Sequence, residues 1–412
     1  MRDGETGERF QKQKGISLSN KRYMKVSFYL GMNDIASHIR RYGVLMITFA
    51  ISFVLITIPL NTLNTMTSEE MLYKFMINPK STIHVRSIEK SGEEKYVNIM
   101  DLTNGVERVK TELEAKGYRN LKMTAAPVYF LTYSSVEKNK KQNIMSIQLV
   151  GDEIDYAQYQ KGEAPVLENE IAFSKTIMDQ NNWGIGDSVY VKIGGQEKKM
   201  IITGTYTDYM QLGQSVRLNS KTVLKDEVMF DYWDIMISMD TRLEENELKE
   251  TLEKQFPNYE WMTGQELVNQ NVGGIQDMLN EVLFPMTAML CAVIMLITLL
   301  MEKLFIVREK GEIAMLKSIG FKYRNIRSWQ ITRMIFVALT SMIVAIPLSL
   351  LSNQFMLKPI FAIMGADVTI QVEPWSVYFI YPGMLLLGII IATVFATRDV
   401  KKITIRECNQ VE

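Results

Sequence analysis

Cysteine is nearly absent from this chain of 412 residues, with two copies, and histidine is equally scarce. Cys291 lies in an apolar run and Cys408 in a basic tail, so the stretch 64–282 has no thiol to staple it. It must stand on a hydrophobic core, and about 200 residues is ample for one. His38 and His84 are far apart in sequence, which argues against a histidine-based metal or nucleophile site. No G-x-x-x-x-G-K-[ST] occurs, so the chain has no P-loop to cradle nucleotide phosphates. No H-E-x-x-H and no serine in a G-x-S-x-G setting occur either. Met1 to Asn20 is polar and lacks an apolar h-region. Residues 1–23 therefore read as a disordered cytoplasmic start rather than a cleavable signal peptide.

Charge is lacking in another sense. Four runs, 43–63, 283–301, 334–352 and 376–397, hold no Asp, Glu, Lys or Arg in their interiors. Each is long enough for a bilayer core of roughly 30 Å, which takes about 20 helical residues. A charge at mid-bilayer is costly unless paired or hydrated, so four uncharged runs predict four transmembrane helices. A buried core helix is the alternative for any single run, but their recurrence with consistent flanks argues against it.

What is present between the runs gives the orientation. The formal net charge is zero, with 46 basic and 46 acidic side chains, but residues 64–282 hold 34 of the acidic and 24 of the basic groups. That leaves 12 acidic against 22 basic elsewhere. Lys21, Arg22, Lys25, Arg40 and Arg41 precede the first run. Arg308, Lys310, Lys317, Lys322, Arg324, Arg327 and Arg333 separate the second and third, and Arg398, Lys401, Lys402 and Arg406 follow the fourth. The loop 353–375 has only Lys358. The positive-inside bias places both termini, the segment 302–333 and the basic tail 398–412 in the cytoplasm, with 64–282 and 353–375 outside.

Within 24–63, Phe28, Met32, Ile35 and Ile39 form one stripe closed by Arg40 and Arg41. The stripe suits a helix lying in the inner interface, and equally a cytoplasmic extension of the first span. Pro347 and Pro382 each favour a local kink, either a hinge or a tolerated packing feature.

The stretch 64–282 mixes both periodicities. Strand-like runs occur at 81–88, 142–151, 187–195 and 198–206, the last two joined through Gly194-Gly195 as a hairpin. Residues 104–118 and 241–256 have helix period, with Gly117 and Thr241 as predicted C-cap and N-cap. The mixture reads as α+β. Asp152, Glu153 and Asp155 form a small acidic cluster, read first as a solvated loop and second as a cation site. Tyr206, Tyr209, Tyr232 and Trp233 are candidates for a ligand patch, with ordinary packing as the stronger reading. Nothing here predicts an enzyme.

The segment 302–333 is more specific. "REKGEIAMLKSIGFKYRNIR", residues 308–327, sets Ile313, Leu316 and Ile319 at i, i+3, i+6 on a short helix. Glu309 and Glu312 sit early and Lys317 late, an order that suits the helix dipole. Gly320 suits a stop, and a second helix starts near Lys322. The result is a helical elbow joined to two membrane spans.

This segment resembles the coupling region of FtsX-like, MacB-type ABC transporter permeases, roughly R-x-x-E-x-x-x-L-[KR]-x-[IL]-G-x-x-x-x-x-I. Glu312, Leu316, Lys317, Gly320 and Ile326 fit the pattern in register, Arg308 matches its arginine from one position further out, and Glu309 and Gly311 lie within it. The order of one span, a large domain and three further spans is similar to that family's. The stretch 167–208, with "NEIA", "GIGDSV" and "ITGTYTD", is similar to the core of its outer domain. Lys322 departs from the pattern, since a small or polar capping residue is usual there. Residues 32–66 also resemble the start of the second half of longer permeases, so half-size protein and carboxyl half both stay open.

The resemblance implies a polytopic membrane protein with four transmembrane helices and an α+β extracytoplasmic domain of the MacB periplasmic-core type. It implies a permease subunit in the cell membrane, paired with a second permease half, that transmits force from a separate cytoplasmic ABC ATPase. That ATPase would bind ATP and Mg, and this chain would bind no cofactor. The eight elbow residues, Arg308, Glu309, Gly311, Glu312, Leu316, Lys317, Gly320 and Ile326, would couple to it. Export or release of peptide, antibiotic or lipoprotein, or activation of a hydrolase, would be the outcome. A ligand-sensing receptor signalling to a kinase is the alternative class, and a membrane-anchored hydrolase a weaker third.

Overall fold

The computed structural model describes residues 26–88, 98–135, 141–154, 156–222, 224, 227–365 and 367–404. The expected disordered start, Asp155, Arg406 and Cys408 lie outside the described residues. The helices are α1 (Val26–Ser37), α2 (Ile39–Met66), α3 (Glu69–Lys74), α4 (Ile99–Ala115), α5 (Lys175–Asn181), α6 (Glu245–Gln255), α7 (Gly264–Asn271), α8 (Ile275–Arg308), α9 (Lys310–Ser318), α10 (Tyr323–Ser352), α11 (Lys358–Ile363) and α12 (Tyr381–Ala396). The strands are β1 (Ile83–Ser87), β2 (Lys122–Ser135), β3 (Gln142–Ile147), β4 (Val150–Gly151), β5 (Lys161–Gly162), β6 (Glu170–Ser174), β7 (Ser188–Ile193), β8 (Gln196–Tyr206), β9 (Ser215–Leu218), β10 (Asp231–Ser238) and β11 (Glu260–Met262). The chain divides into two compact units. One holds the residues through Asn61, Leu279–Gln354 and those from Val372 on, and the other holds Thr62–Met278 with Phe355–Gln371.

The first unit is helical. Four helical stretches are long and apolar enough to cross a membrane: Ile39–Met66, Ile275–Arg308, Tyr323–Ile363 and Ser376–Lys402. Their shared core joins Tyr42, Phe49 and Phe53 of α2, Ile294 and Phe305 of α8, Met334 and Val337 of α10, and Leu385 and Ile389 of α12. Their outer faces stay apolar, as at Ile47, Phe284, Leu296, Ile343 and Leu387, which suits lipid contact. Small residues set the close approaches. A Cβ on Gly388 would lie 2.7 Å from Cys291 Sγ, so α12 meets α8 where the glycine has no side chain. The helix expected over 24–41 is broken at His38, and α1 packs along α10 with Phe28 edge-on to Phe336 at 4.9 Å. Pro347 sits inside α10 and Pro382 in the first turn of α12. A π-helical turn follows α10 at Asn353–Leu357, and another precedes α12 at Ser376–Ile380.

The second unit is α+β. Its sheet runs β11-β1-β10-β2-β3-β9-β6-β8-β5, with β4 on β2 and β7 between β2 and β8. The pairings β2-β3-β9-β6-β8-β7-β2 therefore close a ring around part of the core. Phe173, Val189, Ile202 and Tyr133 fill this part, and Leu248, Leu252 and Trp261 fill the far end. Gly194 and Gly195, both at positive φ, turn β7 into β8 as the dipeptide predicts.

Two caps differ from expectation. Asn98 caps α4 by accepting from the Met100 and Asp101 amides, so that helix starts before residue 104. Thr241 accepts from the Leu243 amide in a local turn, and α6 starts at Glu245 without a side-chain cap. The longest strand, β2, contains Pro127, which has no N–H for the ladder. The sheet absorbs it where the β2–β10 register shifts between Tyr232 and Ile235.

Candidate functional site: the elbow and its buried ion cluster

The elbow is built from the end of α8, the short helix α9 and the start of α10. The α8 ladder continues to Glu309, whose amide donates to the Phe305 carbonyl at 2.8 Å, and then bends. Glu309 is the N-cap of α9 and Ile319 its C-cap. Gly320 follows at φ +101°, a conformation that disfavours any side chain. Lys322 is extended and caps α10 with no side-chain bond, because an ammonium cannot accept from an amide.

The eight expected residues fall into two groups. Arg308 and Glu312 are exposed, and Gly311 and Leu316 half-buried, near the exposed Met315 (56%) and Ile319 (70%). Ile313, Leu316 and Ile319 thus do not form one buried seam. Ile313 is enclosed with Ala314, Ile326, Trp329, Val400 and Ile403, whereas Ile319 faces out. Lys317 bends back to donate to the carbonyls of Val400 (2.7 Å) and Ile403 (2.6 Å), clamping the segment after α12 against α9. Glu312 has its carboxyl pushed above the usual range, first by partial burial and then by Glu309 and Asp34.

Glu309 is 3% exposed and belongs to the interior. Its carboxylate accepts from Arg333 Nη1 at 2.9 Å and from Arg41 Nη1 at 3.3 Å, while Gln330 Nε2 donates at 3.3 Å. Arg333 is fully buried and carries three carboxylates. Nη1 also reaches Asp34 Oδ2 at 2.9 Å, and Nη2 reaches Glu302 Oε1 at 3.2 Å. The Tyr42 hydroxyl donates to Asp34 Oδ2 at 2.5 Å. Phe305, Tyr42 and Trp329 present their rings to the guanidinium with centroids at 5.0, 5.6 and 5.6 Å. One cation thus ties together α1, α8, the bend and α10, with Arg41 adding α2.

Sequence reasoning missed this cluster. Arg333 counted as one more loop cation, and Glu302 and Asp34 passed unremarked. A signal existed: Glu302 and Glu309 are seven apart, two turns on one face of a helix, and Gln330 and Arg333 are three apart. Facing stripes of opposite charge beside apolar spans point to an internal pair.

The α+β unit holds the other candidates. Asp152 accepts from the Met123 amide at 3.0 Å, and Glu153 binds Lys122 at 3.1 Å and the Ser238 hydroxyl at 2.7 Å. The Ser238 bond leads the effects that hold the Glu153 carboxyl below its usual range. Asp152 is thus held on β2, and Glu153 clips β2 to β10. Tyr206, Tyr209 and Tyr232 are buried, so packing is their observed role, and Tyr206 also lies under the Arg217 guanidinium at 3.7 Å. Asp208, 1% exposed, is pushed up to about 6 by burial, with one oxygen accepting from the Ser215 hydroxyl at 2.6 Å.

Four membrane-length helices, of which α2, α8 and α10 meet at a buried ion cluster, and a large α+β domain define a multi-pass membrane protein. Residues 284–405, which hold the elbow and most of the last three membrane-length helices, match the FtsX-like permease C-terminal family. No curated protein matches the chain. Among solved structures, the extracellular domain of the ABC-type transporter YknZ of Gram-positive bacteria is similar at 12% identity and TM-score 0.25, covering 50% of this chain and 90% of that one. A domain described as a permease protein's, from Porphyromonas gingivalis, is similar at 10% identity and TM-score 0.23, covering 37% of this chain and 74% of that one. At those scores neither likeness carries a structural argument.

Proposed function

We propose that the chain is the permease subunit of an ABC-type system, in which a separate cytoplasmic ATPase acts on the α8–α9–α10 elbow. The observation that carries this reading is the Arg333 cluster. It pins the bend at Glu309 to α1, α8 and α10 by buried, charge-assisted bonds, so a displacement of α9 is passed to several spans together. The exposed side of the elbow, with Arg308, Glu312, Met315 and Ile319, is the docking surface in this reading. Glu309 acts from inside, as a positioning residue. Lys317 ties the segment after α12 to the same motion.

The basic flanks support placing the elbow and both termini in the cytoplasm, with the α+β domain outside. ATP and Mg belong to the partner, and a second permease half completes the unit. The α+β domain then changes shape on the far side of the cell membrane, as export, release or hydrolase activation requires.

The test is co-purification with a P-loop ATPase and stimulation of its turnover in proteoliposomes. Glu312→Lys and Ile319→Asp alter exposed positions, so the fold should persist while binding and stimulation fall. Full stimulation by both variants would remove the elbow as the docking site.

A further inference from the structure

The α+β unit contains a cavity of about 410 Å³, a size within the range of small-molecule sites. Ile147, Leu149, Ile154, Leu218 and Val166 supply an apolar wall. Arg217 and Lys221 also line it, and no carboxylate does among the described residues.

Arg217 is the unusual member. It is 5% exposed and makes no ion pair within 4 Å among the described residues; the buried Asp208 carboxylate, which does not line the cavity, interacts with it electrostatically. It stacks on Tyr206 at 3.7 Å and lies 5.5 Å from the Tyr159 ring. Nη1 donates to the Gln158 carbonyl at 3.3 Å, and Nε has no hydrogen-bond partner. A guanidinium taken out of water is best compensated by an anion in direct contact, and Asp208 acts on Arg217 only from beyond ion-pair distance.

The remaining polar groups of the wall are largely spent internally. Asn219 donates to the Pro165 carbonyl at 2.6 Å and accepts from the Lys221 amide at 2.6 Å. Gln148 donates to the carbonyls of Asn219 and Ser220 at 2.9 and 3.4 Å. The Tyr159 and Ser220 side chains complete the polar part of the lining. Two cations at an apolar hollow match a ligand with one anionic head and an apolar body.

We propose that this cavity binds an amphiphilic anion, with Arg217 and Lys221 holding a carboxylate or phosphate head and the Ile147–Leu149–Leu218 wall taking the apolar chain. The site belongs to the α+β unit alone and does not depend on the ATPase reading.

The test uses the full chain in nanodiscs of zwitterionic lipid, titrated calorimetrically with hexanoate and with hexyl phosphate after subtraction of empty discs. Saturable one-site binding is expected for at least one, and the tighter of the two names the head group. 1-Hexanol and hexyltrimethylammonium should bind at least about tenfold more weakly. Val166, 59% exposed, allows a filling variant that leaves Arg217 untouched, and Val166→Trp should abolish binding. Lys221→Glu, at an exposed position, should weaken the anion about tenfold without disturbing the core. Arg217→Gln should weaken it further. Equal affinity for the alcohol and the anions, no binding of either anion, or unchanged binding in both Val166→Trp and Lys221→Glu would overturn the proposal.

Discussion

At the scale of single residues, Arg333 matters because it cannot be removed alone. Its loss leaves Glu302 and Glu309 facing each other in a space closed to water. Breaking a buried ion pair on one side typically costs about 3–5 kcal/mol, much of it from the stranded partner. Arg333→Met should therefore lower resistance to SDS unfolding by that order, while Arg333→Met with Glu302→Gln and Glu309→Gln should recover most of it. A single variant as stable as the parent would show that the cluster does not bind the helices together.

Asp208 gives a prediction of opposite character, in the α+β unit. Its carboxyl sits at about 6 against an ordinary 3.8, so the folded state holds the proton more tightly than the unfolded chain. Stability is then greatest below pH 4 as far as this group is concerned, and it falls as pH rises to about 6. Two units correspond to about 3 kcal/mol. Asp208→Asn should raise the stability of the unit at pH 7 and flatten the pH 4–6 slope in thermal unfolding. A steeper slope in the variant would contradict burial as the cause.

These residues show the limit of sequence at this scale. Hydropathy excluded charge from the span interiors, and Arg333 and Glu302 stand just beyond the predicted span ends. The apolar pattern could not say that they fold inward and pair, because that depends on which helices are neighbours. Arg217 was unread for the same reason: nothing local distinguishes a cation under Tyr206 from one in solvent.

At the scale of elements, the spans were legible because apolar length is a one-dimensional property. The Gly194-Gly195 hairpin was legible because its glycines carry the turn. β2 and β10 were not, since "TAAPVYF" has a proline and two alanines where a strand pattern wants branched residues, and their pairing is long-range. The elbow helix was read from Gly320 and its charge order, yet the facing of its side chains was not. Only packing against Trp329 and Val400 decides that Ile313 turns in and Ile319 out.

Gly320 has open space around its missing Cβ, so conformation alone restricts it at φ +101°. Gly320→Ala should cost about 1–2 kcal/mol, with the change confined to faster proteolysis at the α9–α10 corner. The contrasting case is Gly365, where a Cβ would lie 2.3 Å from the Leu212 carbonyl carbon. Backbone against backbone has no room to yield, so Gly365→Ala should undock the 355–371 segment from the residues around Gly213. Chymotrypsin cleavage after the exposed Phe355 should then accelerate. An unchanged cleavage rate would mean that the approach at Gly213 does not hold this segment.

At the scale of the whole molecule, orientation rests on charge, and the structure narrows which charges count. Of the seven cations first assigned to the elbow region, Arg333 is neutralised inside and Lys317 is turned onto carbonyls. Arg308, Lys310, Lys322, Arg324 and Arg327 remain, against Lys358 on the opposite loop, so the bias survives the correction. It predicts that Ile319 and Val166 lie on opposite sides of the bilayer. Both are exposed, at 70% and 59%, and tolerate a probe. In a Cys291→Ala, Cys408→Ser background, a membrane-impermeant maleimide should label Val166→Cys in intact cells and Ile319→Cys only after permeabilisation. Because the elbow reading needs α9 on the side of a cytoplasmic ATPase, labelling of Ile319→Cys from outside would put the proposed docking surface out of that partner's reach and remove the reading.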